Sequence, residues 1–258
     1  MESISAFEII KIGIGPSSSH TMGPWRAASQ FLAELPGIES VASVTVRLYG
    51  SLAKTGKGHG TDVAILMGLS GEDYTSIDTG TIADKVGQIT RDNRLHLGGK
   101  KPIPFRWDDC LVFDYETTLP RHANAMRFEA IFGDGASFER VYYSLGGGFI
   151  AGEADAANPA ETRRVVTPHP CHTGADLISN CRSLGLSVSE LTYLNERAWR
   201  SKPEIDAQAL LLWREIQSCI FRGVNSEGYL PGGLNVRRRS AEINRKLLGA
   251  TVYRSMEE

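Results

Sequence analysis

The chain has 258 residues, of which 41% are hydrophobic and 22% are charged, and its formal net charge is −2. This charge gives no electrostatic reason to expect nucleic acid or an anionic membrane as a partner. No apolar stretch reaches the length of a membrane span and the first residues do not resemble a signal peptide, so we expect a cytoplasmic globular protein of one large or two modest domains.

An irregular turn rich in hydroxyl groups is the first predicted feature. Gly13, Gly15 and Pro16 cannot continue a regular element, and they precede Ser17, Ser18, Ser19, His20 and Thr21. Helical spacing of apolar residues begins near Pro24. A helix start with free amides, hydroxyls and a titratable ring predicts a small anion site, and a simple turn with a serine cap is the alternative.

A strand and a helix are predicted on either side of a glycine-rich turn. Alternating apolar residues predict a strand at 44–48, and a capped apolar run predicts a helix at 61–69. The flexible turn between them is expected to present His59 beside the helix start. Thr61 and Asp62 are expected to cap that helix or to contact the imidazole. A purely structural histidine in a glycine turn is the alternative.

The same turn is not a phosphate loop. Five residues separate Gly50 from Gly56, where that motif has four, and Gly58 follows Lys57 where a serine or threonine would hold magnesium. Nucleotide binding is therefore not expected.

A hairpin dominates the middle of the chain. A helix is predicted at 81–89 with Thr81 and Asp84 as an approximate capping box, and short strands are predicted at 103–107 and 111–115. Alternating residues at 126–132, a Gly-Asp-Gly turn and a returning run at 138–145 predict the hairpin.

Two polar or glycine-rich segments flank this hairpin. His122 and Asn124 are two residues apart, so in extended backbone they would face one ligand together, and a surface loop is the alternative. Gly146, Gly147 and Gly148 either end the returning strand or bring bare amides close to a carboxylate.

The last third of the chain is predicted to be helical. Glycines, alanines and prolines at 151–170 indicate a connector. Beyond it, Ser187 with Glu190 and Ser201 with Glu204 predict capping boxes, and an apolar stripe from Ile205 places Cys219 in a core. We therefore predict an α+β domain at 1–150 with a mixed sheet, a connector, and a helical segment at 171–258.

Five ordered blocks of this sequence resemble the beta domain of the bacterial iron–sulfur L-serine dehydratases. Their order and spacing match that domain from end to end, and residues 222–232 are similar to the opening of the family's alpha domain. The blocks are residues 13–21, 49–52, 55–62, 122–128 and 142–150.

This resemblance implies a lyase of amino-acid degradation and gluconeogenesis that converts L-serine to pyruvate and ammonia without pyridoxal phosphate. Iron would act as a Lewis acid on the substrate. The matched motifs imply that His59 is the base or proton relay. They imply that the substrate is bound by Ser17, Ser19, His20, Thr21, His122, Asn124, Gly146, Gly147 and Gly148. Ala125 stands where the family has glycine, which puts the local backbone in question.

The cofactor implied by the family is a 4Fe-4S cluster, and its cysteine ligands lie in a later part of the alpha domain. None of the four cysteines here lies in a matching motif or in a C-x-x-C pair. We therefore expect no metal ligands in this chain and no activity from the chain alone. It would be a truncated or split product, completed by an alpha domain on another chain or acting as a homo-oligomer.

A second function class stays open at this stage. The beta domain also resembles small-molecule-sensing domains, so the chain would then be a non-catalytic binder of serine or a related acid, a regulatory domain, or an inactive gene fragment. L-serine is the small-molecule partner expected for the enzyme, with no nucleic acid and no membrane.

Overall fold

The computed structural model describes residues 3–153, 165–230, 235–249 and 253–256. These residues fall into two compact units, an α+β unit of residues 13–153 and 235 and a helical unit of residues 3–12, 165–230, 236–249 and 253–256. Residues 154–164 of the predicted connector lie outside the described part, and the domain limits at 150 and 171 stay predictions. No helix among the described residues is both long and apolar enough to cross a membrane.

A five-stranded mixed sheet organises the α+β unit, in the order β4-β1-β5-β6-β7, and β2 and β3 form a separate pair. β1 runs parallel to β4, and the other neighbours are antiparallel. The expected α+β class is confirmed. The strands are β1 (Val41–Tyr49), β2 (Arg94–Leu97), β3 (Lys101–Pro104), β4 (Leu111–Asp114), β5 (Asn124–Phe132), β6 (Ser137–Gly146) and β7 (Phe149–Gly152).

Helices surround this sheet and build the helical unit. The helices are α1 (Ala6–Ile9), α2 (Gly23–Glu34), α3 (Gly50–Thr55), α4 (Thr61–Leu69), α5 (Ile82–Asp92), α6 (Trp107–Cys110), α7 (Gly174–Leu184), α8 (Val188–Glu196), α9 (Lys202–Asn225) and α10 (Ser240–Leu248). The strand at 44–48, the helix at 61–69 and the hairpin around Gly133 are confirmed.

The core of the α+β unit joins α2 to the sheet and to α4. The Phe31 ring stacks on Phe128 of β5 with a centroid distance of 5.2 Å. At Gly68 of α4, a Cβ would lie 2.6 Å from the Ala28 Cβ of α2, so glycine permits the close helix crossing. Both aromatic rings are fully buried, and their burial stabilises the layer that supports the serine-rich turn.

Three local predictions are wrong. The turn between β1 and α4 is helical rather than flexible, with α3 followed by a 3-10 turn at Gly56–His59. Thr81 makes no side-chain cap, and Asp78 instead accepts a hydrogen bond from the Gly80 amide at 2.9 Å. The strand at 103–107 ends at Pro104, because Trp107–Cys110 turns into α6.

The helical unit confirms the predicted caps but not the predicted stripe. Capping boxes at Ser187 with Glu190 and at Ser201 with Glu204 are both formed. In the described part of α9 only Ile205 is buried, and Cys219 is exposed. The core position of Cys219 was therefore wrong, because this helix face is not covered within the unit.

The N-terminal segment belongs to the helical unit. Glu196 of α8 is buried, and its carboxylate accepts hydrogen bonds from Ser5 Oγ at 2.8 Å and from the Ala6 amide at 2.6 Å. Arg200 completes the cluster by donating to Ser5 Oγ at 3.0 Å and to Glu196 Oε2 at 3.3 Å. Buried charge is thus paired and hydrogen-bonded.

Candidate functional site

The serine turn, residues 17–22, leads directly into α2. Ser18–Met22 form one π-helical turn, and Ser17 caps it by accepting from the His20 amide at 3.2 Å. The Thr21 and Met22 amides both donate to the Ser17 carbonyl, at 2.9 and 3.3 Å. These three amides are therefore not free at the helix start, since the turn itself satisfies them.

His20 lies between two hydroxyl groups. Its Nδ1 is 2.9 Å from Ser19 Oγ, and its Nε2 is 3.1 Å from Ser51 Oγ at the start of α3. Ser19 Oγ is in turn 3.3 Å from Ser17 Oγ. Burial and the neighbouring His59 ring lower the pKa of His20, and the contact with Ser51 opposes this shift. The neutral ring is therefore favoured, with one nitrogen donating and the other accepting.

His59 lies beside His20, and the centroids of the two rings are 5.0 Å apart. The His59 Nδ1 is 2.9 Å from the Thr55 carbonyl oxygen, which can only accept. Nδ1 therefore carries the hydrogen, and in the neutral ring the basic lone pair is on Nε2. The His59 carbonyl accepts from Thr21 Oγ1 at 2.9 Å, so the serine turn and the His59 turn are directly joined.

Thr61 does not act as expected, whereas Asp62 bonds an amide in the first turn of α4. Thr61 is fully buried, and its Oγ1 donates to the His20 carbonyl rather than to an imidazole. Asp62 is buried and accepts from the Val63 amide at 2.9 Å. Burial raises the pKa of the Asp62 carboxyl, and the hydrogen bond from Val63 opposes this shift. Gly60, in the left-handed region, occupies the N-cap position of α4.

Asn124 is connected to the serine turn through a residue that sequence reasoning missed. The Asn124 side-chain amide donates to the Ser144 carbonyl at 3.3 Å, and Ser144 Oγ donates to the Ser19 carbonyl at 2.8 Å. Ala125, next to Asn124, pairs with Tyr49 and Tyr143 in regular β structure. The alanine in place of the family's glycine therefore does not distort the strand.

His122 precedes β5, and its ring folds back on the chain. Its Nδ1 accepts from the Asn124 amide at 3.0 Å, so the neutral ring presents Nε2–H as a donor. The ring of His122 and the side chain of Asn124 therefore have different partners, unlike the joint orientation expected from extended backbone. Within the described residues, no hydrogen bond or ring contact joins His122 to His20 or His59.

The glycine triplet, residues 146–148, links β6 to β7. All three glycines have positive φ, at 93°, 58° and 73°, which an L side chain adopts only with strain. Arg26 of α2 donates to the Gly148 carbonyl at 2.5 Å. The triplet is thereby fixed to the helix that follows the serine turn.

The contacts thus join most of the predicted site residues and add others. The serine turn, His59 and Asn124 belong to one hydrogen-bonded network. Among the described residues, His122 is linked to this network through the Asn124 backbone amide. Sequence reasoning missed Ser51, Ser144 and Arg26 as partners. Ser51 and Ser144 lie inside the matched blocks, which was the only signal for them, because their contacts depend on how distant segments pair.

The chain is similar to curated L-serine dehydratases along most of its length. It is 45% identical over 249 residues to the L-serine dehydratase of Streptomyces coelicolor, covering 95% of this chain and 55% of that protein. It is 41% identical over 255 residues to L-serine dehydratase 1 of Escherichia coli, covering 96% and 55%. The family model described as serine dehydratase beta chain matches residues 5–155. This chain belongs to the serine dehydratase beta-chain family.

As a member of the serine dehydratase beta-chain family, the chain spans about half the length of the curated relatives it matches. Its matched region contains the serine turn, His59, Asn124 and the glycine triplet. The network described above therefore lies within the part of the chain that defines the family.

The four cysteines of this family member are unpaired. Within the described ranges, no three His, Cys, Asp or Glu side chains converge as a metal-ligand set. The Cys171 thiol donates a hydrogen bond to the His169 carbonyl at 3.4 Å. Burial raises the pKa of the Cys110 thiol and disfavours the thiolate that iron requires. The described residues therefore do not fit an iron–sulfur cluster.

Proposed function

We propose that this chain supplies the substrate-binding and proton-transfer loops of an L-serine ammonia-lyase, which converts L-serine to pyruvate and ammonia. The observation that carries the proposal is the pair of imidazoles of His20 and His59, 5.0 Å apart within a network of hydroxyl groups. The relatives described above are L-serine dehydratases, which supports this reaction rather than a non-catalytic binding domain.

Substrate binding is assigned to the polar groups of this network. The hydroxyls of Ser17, Ser19 and Thr21 and the neutral ring of His20 would orient the amino acid. His122 would donate from Nε2, and Asn124 would complete the polar shell. The backbone amides of Gly146, Gly147 and Gly148 would approach the carboxylate, because glycine has no side chain to keep it away.

His59 is assigned as the base or proton relay. Its Nδ1 is bonded to the Thr55 carbonyl, so Nε2 takes the proton from Cα of L-serine. The electron pair of that C–H bond forms the Cα=Cβ double bond as the Cβ–O bond breaks. The departing hydroxide takes the proton that His59 holds and leaves as water, which restores the neutral ring. The resulting enamine becomes an imine as a proton moves from nitrogen to Cβ, and water hydrolyses the imine to pyruvate and ammonia.

The cofactor and the partner are proposed to lie outside this chain. The 4Fe-4S cluster implied by the resemblance has no ligand set among the described residues, so its cysteines would belong to the part of the relatives beyond the matched region. The exposed apolar side chains of α9, among them Leu211, Trp213 and Ile220, support a complementing polypeptide or a second copy as partner. Unpaired cysteines support a reducing, cytoplasmic location.

The first prediction tests the role of His59. In this chain mixed with a polypeptide covering the unmatched part of Escherichia coli L-serine dehydratase 1, and reconstituted anaerobically, His59→Gln should lower pyruvate formation at least about a hundredfold, the range typical of a lost general base. L-serine affinity, measured by calorimetry, should stay within about threefold because the base acts on the transition state.

His96→Gln is the matched control, since His96 is exposed on β2 of the same unit. It should leave both quantities unchanged. Near-normal turnover of the His59 variant would contradict the base role. A wild-type mixture that neither binds L-serine nor forms pyruvate would contradict the proposed function itself.

A further inference from the structure

Ser144 is a polar residue that is completely buried at the end of β6. Its hydroxyl donates to the Ser19 carbonyl at 2.8 Å, and its carbonyl accepts from the Asn124 side chain at 3.3 Å. A buried hydroxyl with a long-range partner of this kind fixes two segments in one arrangement.

The position of Ser144 connects three of the segments to which substrate contacts are assigned. It is hydrogen-bonded to the serine turn and to Asn124 on the neighbouring strand, and it lies two residues before the first glycine of the triplet. Gly23, the first residue of α2, packs against it so closely that a Cβ there would overlap Ser144 Oγ. The absence of a side chain at Gly23 therefore leaves the space in which the Ser144 hydroxyl reaches the Ser19 carbonyl.

Ser144 cannot contact a substrate itself, because none of its surface is exposed. Removing its hydroxyl would leave the part-buried Ser19 carbonyl without this donor, and an acceptor shielded from water that loses its partner is unfavourable. The serine turn would relax toward conformations in which Ser19 Oγ no longer reaches His20 Nδ1.

We propose that Ser144 is a positioning residue that fixes the serine turn against Asn124 and the glycine triplet in the geometry that binds L-serine. The identity of the ligand in this inference rests on the proposed function, whereas the effect of Ser144 on the serine turn does not. The Thr21 and Met22 amides, both bonded to the Ser17 carbonyl, report the integrity of the turn without any ligand.

The test compares three variants of the full chain by amide hydrogen exchange and by L-serine calorimetry. Ser144→Ala should reduce the protection of the Thr21 and Met22 amides about tenfold and weaken L-serine binding by a similar factor. Ser144→Cys keeps a weak donor of similar shape and should recover part of both losses. Ser137→Ala, exposed on the same strand, should match the wild type.

Unchanged protection and unchanged affinity in Ser144→Ala would overturn the inference. Equal loss of protection throughout β5 and β6 in both Ser144 variants would also overturn it, because that result indicates a general structural role. If Ser144→Ala does not fold, the intermediate values expected of Ser144→Cys decide the question. If the wild type does not bind L-serine, the assigned ligand fails, while the exchange data still decide the positioning role.

Discussion

At the residue scale, the two imidazoles of the network differ in what holds them. His20 has a hydroxyl at each ring nitrogen, from Ser19 and Ser51. His59 has a carbonyl acceptor on Nδ1. His20 is therefore suited to orient a ligand as a neutral ring, whereas His59 keeps a defined nitrogen for proton transfer.

The lowered pKa of His20 predicts an acid-sensitive contribution to stability. The folded chain binds fewer protons at this ring than the unfolded chain, whose histidine has a pKa of about 6.5. His20 therefore contributes to the free energy of unfolding above that pH, and this contribution is lost as the pH falls through the lower pKa of the folded state. In urea unfolding at about pH 5 and about pH 7.5, the free energy of wild type relative to His20→Gln should decrease at the lower pH. An equal difference in the free energy of unfolding between wild type and His20→Gln at both pH values would contradict this prediction.

The chemistry-bearing residues of the site could be found from sequence, but the residues that hold them could not. Serines, histidines and glycines in an irregular turn indicate a ligand site because their side chains and backbone suit one. Ser144 sits in a regular strand, and its role depends on the approach of β6 to the serine turn, 125 residues away in sequence. No local pattern contains that pairing.

At the element scale, the approach of α2 to β6 depends on Gly23. A side chain at this position would overlap Ser144 Oγ, whose strand backbone cannot easily move. We expect Gly23→Ala to lower the free energy of unfolding by about 1–3 kcal/mol, the usual result of overpacking. The measurement is urea unfolding followed by circular dichroism.

Gly87→Ala in α5 provides the comparison for this prediction. Gly87 lies within the helix, and a Cβ there would meet only the flexible end of Arg91 at 3.3 Å. The substitution should raise the free energy of unfolding by about 0.5–1 kcal/mol, because alanine restricts the unfolded chain. Equal effects at both glycines would show that Gly23 is not a site of close packing.

Helices and strands with an extended apolar pattern were predicted correctly. The prediction failed at residues 50–59, where glycines were taken to interrupt regular structure. β1, α4 and the β5–β6 hairpin have clear apolar patterns. Residues 50–59 are nevertheless helical, since the segment starts with Gly50 in the left-handed region and then continues without strain. The stripe of α9 was identified correctly as apolar, but periodicity does not tell what covers a helix face.

At the scale of the whole molecule, the helical unit depends on a cluster that joins residues far apart in sequence. Glu196 accepts from Ser5, Ala6 and Arg200. Glu196→Ala should lower the free energy of unfolding of this unit by about 3 kcal/mol, because several donors lose a charged acceptor. Hydrogen exchange of the α8 amides measures the change.

The exposed Glu8 in the same N-terminal segment offers the matched control. Glu8→Ala should leave the exchange of α8 unaltered, as surface substitutions usually do. Similar losses of protection in the two variants would indicate that the segment contributes by charge in general and not through the Glu196 cluster.

The bond between Ser5 and Glu196 also bears on the order of events during synthesis on the ribosome. The two residues are 191 positions apart, so at about 5–20 residues per second the N-terminal segment waits roughly 10–40 s for its partner to emerge. Residues 13–153 form one continuous segment, so all strands of this unit are synthesised early. Translation therefore favours a nascent chain whose sheet is complete while its first residues are still unengaged.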